Sequence, residues 1–150
     1  MISERVGRIF TSKSPNCGHF LVWATVCLDL RRKIVYNPKK ISKNNAEHYA
    51  WGANCDGWHL VKSDELSIIQ ERVPPGALEV NHYHKKAWLF FFILSGEATI
   101  EIGTKTYFLR KHEGIEVPPK FPHKLTNNSN IDLIFIVISK PKSHGDRVLV

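Results

Sequence analysis

From about residue 57 to residue 139 the chain breaks into short β-rich runs, and their spacing constrains the fold more than any other feature. The runs are WHLVK, LSIIQERV, LEVNHYH, AWLFFFILS, EATIEIG, KTYFLR, GIEV, HKLTN and DLIFIVIS. So many short runs at such close spacing leave little room for helix and predict an all-β antiparallel sandwich or barrel. The residues between them agree. Pro74-Pro75-Gly76 cannot continue a central strand, Ser95-Gly96 and Ile102-Gly103 separate two β-rich runs each, and Pro118, Pro119 and Pro122 fence a loop. DLIFIVIS is apolar at nearly every position and reads as a strand covered on both faces; EATIEI alternates and reads as a strand with one wet face.

A chain of 150 residues is long enough for one domain with a single core. No stretch of 18 or more apolar residues is present, so no membrane-spanning helix is expected. The longest early apolar run, FLVWATVCLDL, contains Asp29, is followed by Arg-Arg-Lys, and lacks a small-x-small cleavage site after it. Cys17, Cys27 and Cys55 are odd in number and show no Cys-x-x-Cys spacing, which suits reduced thiols in a cytoplasmic protein. The net charge of +7 is unevenly placed: residues 1–45 carry nine Lys/Arg against Glu4 and Asp29, and residues 46–150 carry twelve of each sign. A basic leading segment without interleaved aromatics or a binding motif points to no nucleic-acid partner. The expected organisation is a basic, loosely packed extension over residues 1–40 and a barrel over residues 41–150.

Histidines carry the chemistry. Side chains at i and i+2 of a strand share a face, so His82 and His84 project together, with Leu78 and Val80 continuing that face and Glu79, Asn81 and Tyr83 pointing away. Two imidazoles on one curved strand can meet one cation, and His123, behind the proline-braced loop, supplies a third. His59 reads as a strand-lining residue with a pocket role as its alternative, and His19, His48, His112 and His144 fall in loops or termini. Glu71 is a candidate for a substitute acid, but the parity of IIQERV is not fixed by the sequence, and with Gln70 inward Glu71 is expected to face solvent. Gly145-Asp146-Arg147 reads as a turn with an exposed ion pair and no chemistry.

The region around these histidines resembles the cupin superfamily. Its first motif, G-x5-H-x-H-x3/4-E-x6-G, is matched by Gly76, His82, His84 and Gly96; its second, G-x5-P-x-G-x2-H-x3-N, by Pro118, His123 and Asn127. His112 and Lys120 stand where the second motif has glycines, and the acid of the first motif maps to Leu89 or, by the shorter spacing, to Trp88. The resemblance implies a double-stranded β-helix, or jelly-roll barrel, with a metal site inside. It also implies a divalent ion (iron, manganese, nickel or zinc) held by His82, His84 and His123 without the family's carboxylate. Three neutral imidazoles leave the ion's charge uncompensated, which favours a small anionic ligand. Two functions follow: a metalloenzyme such as a small-molecule dioxygenase or isomerase, or a non-catalytic ligand-binding barrel whose metal site is degenerate. The aromatic run at Trp88, Phe90, Phe91 and Phe92 offers one face to the interior and one to a second subunit, so a homodimer is expected.

Overall fold

The computed structural model describes residues 37–150; the leading extension therefore lies, but for its last four residues, outside the described residues. The chain from Lys40 to Val150 makes one compact unit. Its strands are β1 (Glu47–Trp51), β2 (Cys55–Lys62), β3 (Ser67–Val73), β4 (His82–His84), β5 (Trp88–Ser95), β6 (Ala98–Ile102), β7 (Lys105–Leu109), β8 (Gly114–Val117), β9 (His123–Thr126), β10 (Leu133–Lys140) and β11 (Arg147–Leu149). No helix occurs among the described residues. Two antiparallel sheets result, one in the order β1-β2-β3-β10-β5-β8 and the other β11-β4-β9-β6-β7.

The core lies between the sheets because the central strands alternate. Ile69 and Val73 of β3, Leu89, Phe91 and Ile93 of β5, and Leu133, Phe135 and Val137 of β10 point inward. They meet Ala98, Ile100 and Leu125 from the second sheet. Turn glycines fix the register. Gly96 has φ +82°, and a Cβ there would come within 2.8 Å of the Asp132 carbonyl oxygen, so no other residue fits the β5–β6 turn.

Four expectations need correction. β1 and β11 fall in stretches that showed no strand pattern. The run LEVNHYH forms strand only over His82–His84, with Leu78 in a lone bridge to Thr126. Because the chain between that bridge and β4 is irregular, alternation is not carried across it: Leu78 and Val80 are about half exposed, and Glu79 turns into the interior. Finally, β10 is covered on one face only; Ile134, Ile136 and Ile138 on the outer face stay partly accessible beside Trp88, Phe90 and Phe92, whose rings stack 6.2 and 6.4 Å apart in succession.

Candidate metal centre

The three predicted histidines come together inside the barrel. His82 and His84 flank Tyr83 on β4, and His82 lies directly across from His123 on β9. All three are buried, with 1–7% of their surface exposed. Their ring centroids stand 4.3 Å (His82–His123), 5.1 Å (His82–His84) and 5.7 Å (His84–His123) apart. One nitrogen from each falls within 4.8 Å of the others. An ion with Zn–N-type bonds of about 2.1 Å would hold such nitrogens about 3–4 Å apart, so small ring movements would close the set on one cation.

Hydrogen bonds orient the rings. His82 Nδ1 lies 2.8 Å from the Val80 carbonyl oxygen and His123 Nδ1 3.0 Å from that of Phe121. A carbonyl oxygen only accepts, so in His123 Nδ1 carries the proton and Nε2 presents a lone pair; His82 Nδ1 faces both the Val80 carbonyl, which accepts, and Arg147 Nη2, which donates, so these contacts fix the ring's place without selecting its tautomer. His123 Nε2 and His84 Nδ1 are buried without any partner. A buried nitrogen with an unused lone pair is costly unless something fills it.

Burial also keeps the rings uncharged. Desolvation first, and the neighbouring His123 second, push His82 down to about 3 and His84 down to about 4. His123 is lowered too, chiefly by burial. Arg147 reinforces this: its Nη2 donates to the Val80 carbonyl at 3.1 Å and sits 3.1 Å from His82 Nδ1, where its charge opposes an imidazolium.

The remaining motif positions shape the backbone. Asn127, fully buried, donates through Nδ2 to the carbonyls of Val73 (2.9 Å) and Ile131 (2.8 Å) and so ties the end of β3 to the loop after β9. His112 and Lys120, in the two glycine positions, both adopt φ +69°, the left-handed conformation a glycine would take. The Lys120 amide then donates to the His84 carbonyl at 2.7 Å, which braces the strand bearing two of the histidines.

A cavity of about 300 Å³ opens on the histidines. Leu89, at the family's acid position, is 2% exposed and lines it, whereas Trp88 belongs to the outer face. Residues 69–139 match the family model for the cupin domain. The matched stretch is a cupin domain. Its sequence is 29% identical to an uncharacterized protein of Methanocaldococcus jannaschii over 89 residues, 59% of this chain and 71% of the relative. Its fold matches an uncharacterized conserved protein with a double-stranded beta-helix domain from Klebsiella pneumoniae, with a TM-score of 0.63, 17% identity, and coverage of 76% of this chain and 98% of the other. It also matches the polyketide cyclase RemF from Streptomyces resistomycificus, with a TM-score of 0.65, 14% identity, and coverage of 76% and 86%.

Several cavity residues of this cupin escape the sequence reading. Glu71 does not face solvent: it is 8% exposed and lines the cavity, with Tyr49 Oη donating to its Oε1 at 2.7 Å. The signal was its parity with Ile69 and Val73, both apolar enough to mark the inner face. Glu79, His144 and Arg147 line the cavity as well. The turn at Gly145-Asp146-Arg147 is no exposed ion pair. Asp146 accepts from the amides of Lys86 and Ala87, each at 2.8 Å, and so pins the chain before β11 to the β4–β5 turn. His59 is buried beside Tyr49 and His144, with ring centroids 5.2 and 5.0 Å away.

Proposed function

We propose that this cupin binds a divalent metal ion through His82, His84 and His123 and presents its open coordination positions to a small anionic molecule in the cavity. The observation that carries this reading is the pair of unpartnered buried nitrogens, His84 Nδ1 and His123 Nε2, in a cluster that burial keeps neutral. Neutral imidazoles that bring one nitrogen each within 4.8 Å of the others are the donor set that a borderline cation such as iron, manganese, nickel or zinc takes. When bound, the ion would polarise an oxygen of the ligand as a Lewis acid. The chain's own residues would do the rest: Val80 and Phe121 carbonyls hold the ring orientations, Leu89 and Phe91 keep the site dry, and Arg147 adds positive charge.

Elemental analysis of the full chain supplied with each metal in turn tests this. Near-stoichiometric metal in the wild type and its loss in His123→Ala is the expected result; well under one ion per three chains with every metal overturns it. A second reading, a barrel that binds without reacting, is favoured by Leu89 standing where the family has its acid, beside Ile69, Phe91 and Val137. In either case we place the protein in the cytoplasm as a homodimer joined through the outer face of Trp88, Phe90, Phe92, Ile134 and Ile136. A monomer mass by light scattering at micromolar concentration would rule out that assembly.

A further inference from the structure

Opposite the apolar side of the cavity stands a carboxyl that the histidine centre does not account for. Glu71 lies on β3 in register with Gly57 of β2, which lies in register with Tyr49 of β1. A Cβ at Gly57 would strike the Tyr49 ring, so the ring crosses the bare glycine to deliver its hydroxyl to Glu71 Oε1. This rung occupies one carboxyl oxygen only. Oε2 has no hydrogen-bond partner among the described residues, and Glu71 lines the cavity, where a bound molecule could meet that oxygen.

No Lys or Arg lies within ion-pair distance of Glu71 among the described residues. An ionised carboxylate buried without a counter-charge costs far more than the neutral acid. The groups facing it divide: Glu79 before β4 disfavours ionisation, while Tyr49 on β1 and Arg147 on β11 favour it. Burial outweighs them all and pushes Glu71 up to about 8. Cys55 on β2, itself pushed up to about 11 by burial, stays a neutral thiol, and burial lowers His59 and His144 toward neutral imidazole.

We propose that Glu71 is a ligand-contacting residue whose neutral carboxyl, oriented by Tyr49 across Gly57, donates a hydrogen bond from Oε2 to an oxygen of a small carboxylate anion. The proposal rests on the metal reading above for the anchorage of the anion's other oxygens. A neutral donor receives an anion without repulsion, Arg147 adds attraction, and Ile69, Leu89, Phe91 and Val137 leave an apolar wall for a short carbon body.

The test uses the full chain loaded with cobalt(II) and oxalate as the probe, because oxalate remains fully ionised throughout the neutral range. Calorimetric titration of the wild type should show affinity falling about tenfold as pH rises through the titration of Glu71. Glu71→Gln, whose amide can accept from Tyr49 and donate in the same place, should keep neutral-pH affinity within about threefold and lose that dependence. Glu71→Leu should bind about tenfold more weakly at neutral pH. Metal content is measured in every sample. Equal metal with wild-type affinity in Glu71→Leu overturns this inference alone, as does a pH dependence that persists unchanged in Glu71→Gln, which would belong to metal-bound water or another group. A wild type that takes up no metal overturns the metal reading and this inference with it.

Discussion

The histidine wall of the cavity stands on two adjacent strands, β4 and β9, whereas the carboxyl wall draws Glu71 from β3, Tyr49 from β1 and Glu79 from a stretch with almost no ladder. The first wall holds bases that burial keeps unprotonated; in the second, burial keeps Glu71 mainly protonated at neutral pH and moves Glu79 toward the neutral acid. Glu79 is pushed up to about 7 by the same desolvation, with Arg147 working against it. One dry cavity thus removes charge from both sides, by opposite proton movements. What differs is the remedy: a cation can fill the histidine wall, while the carboxyl wall needs only to stay neutral.

The largest effect is expected at Leu89, which is buried and lines the cavity. Leu89→Glu should cost about 3 kcal/mol in metal-free protein, because it buries a carboxyl without a partner. Added metal should return much of that loss if the histidines hold the ion. Urea denaturation with and without a chelator measures it; equal destabilisation in both would separate Leu89 from any metal centre.

Acid should act next. The folded values of His82, His84 and His123 are depressed, so their contribution is fully present above the unperturbed value of 6.5 and is lost as pH falls toward the folded values of about 3 and 4. Because Glu71 and Glu79 act in the opposite sense over this range, the measurement is a difference: metal-free wild type should lose about 1–2 kcal/mol relative to His82→Leu between pH 7 and pH 5, read from urea midpoints. A difference that stays constant from pH 7 to pH 5 would mean that the ring is already charged or solvated.

Glu71 should give the opposite sign. Its folded value is raised, so its contribution is fully present below the ordinary 4.5 and is lost as pH rises through about 8. Glu71→Gln should therefore be more stable than wild type by about 1 kcal/mol at pH 8 and no more stable at pH 4. The difference between the two pH values, not either stability alone, is the measurement that counts.

The smallest effect is expected at Lys120, whose φ of +69° a glycine adopts without strain. Lys120→Gly should stabilise by about 0.5 kcal/mol, since relief of left-handed strain slightly exceeds the added freedom of the unfolded chain. A loss instead would show that the lysine side chain supports the loop behind His84.

The strands and the histidine cluster were legible because both rest on short-range rules: period-two alternation, turn residues and motif spacing. Leu89 could be placed inward by counting from Gly96. Glu71 was harder, because SIIQERV reads plausibly on either face: Ile68 competes with Ile69, and only Val73 breaks the tie. Glu79 could not be placed at all from His82, since the irregular backbone between them discards the parity that a strand would carry. Arg147 and His144 reach the cavity through pairing of β11 with β4, a contact between segments more than sixty residues apart, for which three residues of strand leave no pattern.

That pairing has a further consequence. β4 keeps three ladder residues with β11 but only one, His82 with His123, on its other side. If β11 peels away, the strand bearing His82 and His84 loses most of its backbone support together with Arg147. Local opening of this edge would therefore loosen both histidines at once, and the amide hydrogens of β4 and β11 should exchange with one common protection, set by how firmly Asp146 grips the amides of Lys86 and Ala87.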